Sequence, residues 1–291
     1  MSAPGLARPT PPSSGLATRV LTGAALIAAV LAALFLLPPA GFGIVVLLLV
    51  ALAAREWAAL IGFAGAAAAF FVGVTLLAGA ALVWSALDPD RAVPTVAAAC
   101  GAATLFWILV GTPSVLLHWQ PRSRVARAVS GWIVLLGALV AIVSLQAHSP
   151  ALALAAMASV WIADTAAYLV GRKFGRRKLA PSISPGKTWE GADGGIAAVV
   201  LYAVALLPLA ERLRLERRAD ATFAALWIAF AIVLAALSII GDLHESLLKR
   251  EAGVKDSGTL LPGHGGLLDR IDALLAAMPP VALATLYLGT T

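Results

Sequence analysis

The sequence predicts an all-α protein that crosses a membrane several times. Of its 291 residues, 61% are hydrophobic and only 12% are charged, and the mean hydropathy is +0.94. Soluble domains carry about 25% charged residues, so this composition excludes a soluble protein. The apolar residues also recur in runs of about 20, the length with which a helix crosses a hydrocarbon core of about 30 Å. We therefore expect a polytopic integral membrane protein with about nine transmembrane helices.

Nine apolar runs, separated by turn residues or charges, are the predicted spans. They lie near residues 20–37, 42–60, 64–86, 94–117, 128–146, 150–170, 190–209, 221–240 and 273–289. The run at 42–60 carries Arg55 and Glu56 near one end, and the run at 190–209 starts with Glu190 and Asp193. Both of these runs are also compatible with a shorter or partly re-entrant segment.

Composition divides the chain into three regions. Residues 1–18 are rich in Pro, Ser and Gly and predict a disordered N-terminal tail. Residues 19–160 predict N-terminal transmembrane helices, and residues 161–291 predict a C-terminal transmembrane region in which we expect the catalytic residues. The run at 20–37 lacks a small-residue cleavage site at its end, which favours a retained span over a signal peptide.

Lys and Arg residues orient the predicted spans. With the N-terminus inside, 16 of the 21 Lys and Arg residues fall on the inner side and 5 on the outer side. Cytoplasmic loops keep an excess of these residues, which predicts a cytoplasmic N-terminus and an outer C-terminus. The same bias accounts for the net charge of +6, so we expect no nucleic acid as a partner. Both long polar segments then face the cytoplasm, and we place the active site on that side.

Most acidic residues lie in the second half of the chain, where 12 of the 15 occur from Asp164 onward. Asp164 interrupts an apolar run, and a carboxylate there is costly unless it is paired, hydrated or bound to a metal. Tyr168 follows four residues later, on the same helical face. Both are candidates to line a polar cavity. The alternatives are a buried pairing of Asp164 with an arginine or amide, and an interfacial position for Tyr168.

The segment from Arg176 to Gly195 is a second candidate. Its two prolines and spaced hydroxyls exclude a continuous helix. Lys187 and Thr188, followed by glycines, offer a cation, a hydroxyl and backbone donors at the start of the next span, and such groups bind phosphate. The alternative is a basic inner loop that only sets the topology.

The segment from Gly241 to Asp272 is the strongest candidate. Asp242 stands just past a predicted span with Ser246 one turn later, and Asp269 and Asp272 share a helical face before the last span. Carboxylates from two helix ends make an oxygen site suited to magnesium. Four cations in the segment can neutralise a triphosphate: Lys249, Arg250, Lys255 and Arg270.

A glycine-rich turn lies between those carboxylates. The sequence Pro-Gly-His-Gly-Gly, residues 262–266, permits positive φ angles and a close backbone approach to a ligand at Gly265 and Gly266. His264 has three readings, as a general base, a phosphate donor or a loop contact, and we favour phosphate contact. A solvated loop with ordinary charge pairs explains any one residue of the segment but not the whole set.

These residues resemble the signature of the phosphatidate cytidylyltransferases, also called CDP-diglyceride synthases. The positions that match are Ser246, Lys249, Arg250, Lys255, Asp256, Gly258, Pro262, His264, Gly265, Gly266, Asp269, Arg270 and Asp272. The likeness covers the chain from about Trp161 to Asp272. Two positions depart from it: His244 stands where relatives often place an aromatic residue, and Gly186 stands where many have a second lysine.

The resemblance implies that CTP and phosphatidate react to give CDP-diacylglycerol and pyrophosphate, with Mg²⁺ and with a second cation as an open option. It implies an enzyme of the inner (cytoplasmic) membrane and leaves the oligomeric state open, a homodimer being one option. The expected catalytic residues are Asp242, Asp269, Lys249, Arg250 and His264, with Asp242 and Asp269 as metal ligands. The expected substrate-binding residues are Ser246, Lys255, Arg270, Gly265, Gly266, Lys187, Thr188, Asp164 and Tyr168. Asp272 is expected to orient Arg270.

Two other functions fit part of the pattern. A CTP-dependent polyprenol or lipid kinase also combines several spans with cytoplasmic phosphate loops, but it transfers the γ-phosphate. An ion-coupled transporter would use Asp164, although transporters usually show inverted repeats in both halves. The acidic residues of this chain are instead concentrated in one half, which argues against transport.

Overall fold

The computed structural model describes residues 16–209, 221–260 and 265–288, and it confirms the all-α, polytopic prediction. The helices are α1 Leu16–Leu36, α2 Pro39–Leu60, α3 Gly65–Leu87, α4 Ala92–Phe106, α5 Thr112–Leu116, α6 Arg124–His148, α7 Pro150–Phe174, α8 Trp189–Leu206, α9 Ala221–Glu251 and α10 Leu268–Leu288. A π-helical turn, Trp107–Gly111, joins α4 to α5, and a 3₁₀ turn, Leu207–Leu209, follows α8.

Eight stretches of the described chain are long and apolar enough to cross a membrane. They are Pro39–Leu60, Gly65–Leu87, Ala92–Leu116, Arg124–His148, Pro150–Phe174, Trp189–Leu209, Ala221–Glu251 and Leu268–Tyr287. The two runs with charged residues near one end, at 42–60 and 190–209, are therefore of full spanning length. Within α1 the shorter apolar stretch Ile27–Leu36 is found, so the ninth span stays a prediction. Residues 1–15 of the predicted tail lie outside the described chain.

The helix at the eighth predicted span is longer than the sequence analysis indicated. We expected it over 221–240, with Asp242 just past its end, but α9 continues to Glu251. Leu243, Leu247 and Leu248 are buried in this extension. Leu243 and Leu247 are four residues apart and share one face of the helix, and Leu248 packs in the main core. The extension is therefore held by packing, and it carries the polar residues of the site on a rigid element.

The polar segment between α7 and α8 forms a small antiparallel hairpin, which the sequence analysis did not predict. Strand β1, Lys178–Ala180, pairs with strand β2, Ser184–Thr188. Ile183 lies in the turn, is 1% exposed and packs in a small apolar cluster with Leu243 and Leu247 of α9. This contact fixes the hairpin against the helix that carries the site.

A proline inside α10 leaves one backbone carbonyl without its usual donor, and a side chain just after α4 supplies the hydrogen bond instead. Pro279 lies inside α10 and has no N–H to donate to the carbonyl of Leu275 one turn earlier. The indole Nε1 of Trp107 donates to that carbonyl instead, at 2.9 Å. The π-helical turn that contains Trp107 therefore lies at the contact between the two helices.

The helix ends predicted to face the cytoplasm lie together on one side of the bundle. Arg127 near the start of α6 forms an ion pair of 2.8 Å with Glu251 at the end of α9. Arg250 of α9 donates to the carbonyl oxygen of Ile183 in the hairpin at 3.1 Å. Arg124 donates to the carbonyl of Gly62, just after α2, at 3.3 Å. The polar loops therefore form one surface.

Candidate active site

A cavity of about 1310 Å³ lies between α1, α2, α7, α8, α9 and α10. One part of its wall is apolar and includes Ile27, Val45, Leu49 and Met157. The other part is polar and carries the carboxylates and cations of three helices and the hairpin: Asp164, Lys187, Asp242, Asp269, Arg270 and Asp272. The cavity thus joins a charged site to the hydrocarbon-facing helices.

Lys187 and Asp242 form the first ion pair of this polar wall. Lys187 lies on β2, and its Nζ is 2.6 Å from Asp242 Oδ2 on α9. Ser246, one turn further along α9, donates its hydroxyl to Asp242 Oδ1 at 3.3 Å. The structure therefore brings together candidate residues from two separate segments of the sequence.

Lys249 and Asp269 form the second ion pair. Lys249 Nζ lies 2.6 Å from Asp269 Oδ1 and also pairs with Glu245 Oε2, one turn earlier on α9. Glu245 is 2% exposed, and the sequence analysis did not select it as a site residue. Because Lys249 is shared by two buried carboxylates, the cation is held in place by charge on both sides.

Asp269 also fixes the chain that precedes α10. Its Oδ2 accepts hydrogen bonds from the backbone N of Ser257 at 3.0 Å, the Ser257 hydroxyl at 3.1 Å and the backbone N of Gly266 at 2.8 Å. Gly265 has a φ of +80°, a conformation that favours glycine. Both glycines were expected to bind substrate, and the structure shows the Gly266 N–H bonded to Asp269.

Glu56 is a buried acidic residue at the same site that the sequence analysis did not select. It lies on α2 and is 8% exposed. Its carboxylate accepts hydrogen bonds from the Ser257 hydroxyl at 2.9 Å and from the backbone N of Leu267 and Leu268 at 2.9 and 2.7 Å. The expected site residues all lie from Asp164 onward, and the structure brings Glu56 from the first half of the chain into contact with the same segment.

Three other residues predicted to act on the substrate are not free side chains of the cavity wall. Arg250 lies outside the cavity wall and donates to the carbonyl oxygens of Ile183 and Val254. Lys255 is exposed and does not line the cavity. Thr188 lines the cavity, but its hydroxyl accepts a hydrogen bond from the backbone N of Gly191 at 3.1 Å and caps α8.

Asp164 and Tyr168 both line the cavity from α7, as predicted. The Tyr168 hydroxyl accepts a hydrogen bond from Arg172 at 3.2 Å, and its side chain is exposed. α7 can lie close to α8 here because Gly171 and Gly191 leave space at Thr188. His264, Pro262 and Gly263 lie outside the described residues.

The surroundings of His244 explain why a histidine can stand where relatives often have an aromatic residue. Its ring is 2% exposed and packs against the aromatic rings of Trp57, Phe106 and Trp107, with centroids 5.4 to 6.4 Å apart. The ring Nδ1 lies 2.9 Å from the Ser114 hydroxyl. His244 therefore fills the volume of an aromatic residue and holds α9 against α2 and α4.

The fold and the site define a polytopic membrane protein with a charged site that opens onto an apolar cavity. The model of the Cytidylyltransferase family matches residues 17–288. The chain therefore belongs to the cytidylyltransferase family and is an enzyme of the nucleotidyltransferase class.

Curated relatives match most of the chain. The phosphatidate cytidylyltransferase of Pseudomonas aeruginosa is 38% identical over 272 residues, which cover 91% of this chain and 94% of that protein. The phosphatidate cytidylyltransferase of Haemophilus influenzae is 34% identical over 280 residues, 90% of this chain and 95% of that protein. That of Thermotoga maritima is 44% identical over 128 residues, which are 44% of this chain and 46% of that protein.

Proposed function

We propose that this protein is a phosphatidate cytidylyltransferase, which transfers CMP from CTP to phosphatidate and gives CDP-diacylglycerol and pyrophosphate. The family and the names of the relatives support this activity. The observation that carries it is the cavity, whose wall is apolar on one part and charged on another. Phosphatidate has the same division, because its acyl chains belong in hydrocarbon and its phosphate belongs with charged groups and water.

The proposed reaction requires little acid–base chemistry. A phosphate oxygen of phosphatidate attacks the α-phosphorus of CTP, a new P–O bond forms, and the bond to the β-phosphate oxygen breaks with release of pyrophosphate. The nucleophile is already anionic near neutral pH, so catalysis depends on positioning and on neutralising negative charge. Lys187 and Arg270 in the polar wall supply positive charge for this purpose.

Lys187, Lys249 and Arg270 are the proposed phosphate-binding cations. Lys187 and Lys249 lie against aspartates in the structure, and Arg270 lines the same cavity. When the triphosphate is bound, the Lys187 ammonium can turn from Asp242 towards a phosphate oxygen, and Lys249 adds positive charge from its position between Glu245 and Asp269. Two anionic substrates repel each other, and these cations reduce that repulsion.

Asp242 and Asp269 are the proposed ligands of magnesium. Among the described residues, no group of three or more His, Cys, Asp and Glu side chains could hold a metal ion. The two carboxylates of Asp242 and Asp269 fit magnesium, which is usually bound by one or two carboxylates together with substrate phosphates. In addition, Glu245 Oε1 is buried with no hydrogen-bond donor in the described chain, so the site can accept further positive charge. Bound magnesium would polarise the α-phosphate, and a second cation stays an open option.

We infer that the protein lies in the inner membrane with its N-terminus and its active site in the cytoplasm and its C-terminus outside. Bacterial relatives and the excess of Lys and Arg on one side support this orientation. The contacts between the polar loops are consistent with it, because they join segments assigned to the same side. The homodimer stays a prediction. A measurement of the mass of the purified protein in detergent tests it.

An assay with membranes containing the protein tests the activity. We expect labelled CTP and phosphatidate to give CDP-diacylglycerol and pyrophosphate in equal amounts, and ATP to be a poor substitute for CTP. A matched preparation lacking the protein is the control. Release of CDP with transfer of the γ-phosphate would show a kinase and would contradict the proposal.

A further inference from the structure

We propose that Glu56 is a positioning residue for the reaction. It fixes the segment that precedes Asp269 and thereby holds the Asp269 carboxylate in place. The inference rests on the proposed function for its catalytic consequence, although the contacts it uses can be measured separately. Glu56 lies on α2, 201 positions before Ser257 in the sequence. It does not line the cavity, so it acts through the connection between α9 and α10, of which the structure describes residues 252–260 and 265–267.

The Glu56 carboxylate is held by three donors from this connection and the start of α10. Oε2 accepts from the Ser257 hydroxyl and the Leu268 N–H, and Oε1 accepts from the Leu267 N–H. The first amides of a helix have no acceptor inside that helix, and a negative charge beside them is favourable. Glu56 therefore caps α10 from another helix, and it has no ion pair with a cation in the described chain.

The connection is shaped to fit this carboxylate. A Cβ atom at Gly258 would lie 2.5 Å from Glu56 Oε1, and a Cβ atom at Gly266 would lie 2.6 Å from Glu56 Oε2. Both distances are too short for any side chain, so two glycines let the backbone close around Glu56. One carboxylate and two glycines therefore determine the path of the backbone at Gly258 and at Gly266.

Ser257 links Glu56 to Asp269. Its hydroxyl lies 2.9 Å from Glu56 Oε2 and 3.1 Å from Asp269 Oδ2, while its backbone N donates to Asp269. A hydroxyl has a single hydrogen to donate, so the two carboxylates share it. Gly266 N also donates to Asp269. Ser257 thus bonds to both carboxylates, and Gly266, the other donor to Asp269, directly precedes Leu267, whose N–H donates to Glu56.

The test compares wild type with Glu56→Gln, Glu56→Ala, Ser257→Ala and the double variant Glu56→Gln/Ser257→Ala in detergent. Asp90→Asn is the matched control, because Asp90 is an exposed carboxylate in the connection between α3 and α4. We expect kcat of Glu56→Ala to fall by about 100-fold, the loss typical of a group displaced by about 1 Å. We also expect amide exchange to rise at residues 257, 267 and 268 but not in α6, and Asp90→Asn to behave as wild type.

The double variant separates positioning from a general loss of stability. Because Glu56 and Ser257 share one contact, their combined loss in kcat should be smaller than the product of the two single losses. Losses that multiply, wild-type exchange at 267 and 268 in Glu56→Ala, or a kcat close to wild type would each overturn the proposal. If Glu56→Ala does not fold, Glu56→Gln and Ser257→Ala carry the same test. A wild-type protein that forms no CDP-lipid would instead refute the proposed function, and the exchange data would still test the Glu56 contacts.

Discussion

At the scale of single residues, the site is built from aspartates that each lie against a lysine. Asp242 pairs with Lys187 and Asp269 pairs with Lys249, both at 2.6 Å. Pairing lowers the cost of holding carboxylates at the edge of a membrane. Asp242, Asp269 and Lys187 line one cavity wall, and Lys249 is buried against Asp269. The removal of an aspartate and the removal of a lysine should therefore damage catalysis in different ways.

Replacement of Asp269 by asparagine should abolish the reaction in a protein that still folds in detergent. Asp269→Asn keeps the size of the side chain but removes the charge that Lys249 and the proposed magnesium require. We expect the rate of CDP-lipid formation to fall by about 100-fold or more, the loss seen when a charge-stabilising group is removed. The rate is measured with labelled CTP, and elution as a single folded species in detergent is checked in parallel. Turnover near that of wild type would contradict the assignment of Asp269.

Replacement of Lys187 should instead weaken the use of CTP. Lys187→Met removes a proposed hydrogen bond to a charged phosphate, which contributes about 1.5–3 kcal/mol. We expect kcat/KM for CTP to fall by about 10- to 100-fold. Lys178→Met is the matched control, since Lys178 lies in the same hairpin but is exposed and outside the cavity wall. Equal effects of the two changes would indicate a general loss of positive charge rather than a specific contact.

At the scale of helices and strands, the site depends on where each element ends. α9 runs on to Glu251, so Asp242, Glu245 and Lys249 lie three to four residues apart along one helix. α10 begins at Leu268, which puts Asp269 in its first turn. The π-helical turn after α4 reaches α10 too, because Trp107 donates to the carbonyl of Leu275.

The Trp107 hydrogen bond should contribute measurably to stability. Trp107→Phe keeps an aromatic ring but leaves the Leu275 carbonyl, whose helical donor position is Pro279, without a donor. A buried polar group left unpaired costs about 1–3 kcal/mol, so the thermal midpoint in detergent should fall. Trp84→Phe serves as the control because Trp84 is 73% exposed. An unchanged midpoint for Trp107→Phe would mean that water or another group satisfies the carbonyl.

The sequence predicted the helices well because run length and hydropathy determine which segments cross a membrane. It predicted the clustering of Lys187, Asp242 and Asp269, since charge placed their loops on one side. It missed the extension of α9, because Leu243 and Leu247 stabilise the helix through contacts with the hairpin that no local pattern shows. It missed Glu56 for the same reason: its partners are 201 or more positions away. One signal was available, since Glu56 is a carboxylate within a predicted span.

At the scale of the whole molecule, both halves of the chain contribute to the site. α9 and α10 supply the aspartates, but α2 supplies Glu56 and part of the apolar cavity wall. The apolar wall from α1 and α2 lines the same cavity as the charged groups. If phosphatidate places its acyl chains along this wall, a bulky residue there should impair the lipid substrate without affecting CTP.

Two neighbouring leucines of α2 allow a matched test of that arrangement. Leu49 lines the cavity, whereas Leu48 does not and is 56% exposed. Leu49→Trp adds volume inside the cavity, and Leu48→Trp adds the same volume outside it. We expect Leu49→Trp to raise the KM for long-chain phosphatidate by about tenfold, a change equivalent to about 1.4 kcal/mol of binding, and to leave the KM for CTP unchanged. Short-chain phosphatidate should be affected less, because its chains do not extend along the wall. Equal behaviour of the two variants with long-chain substrate would show that the acyl chains do not occupy this cavity.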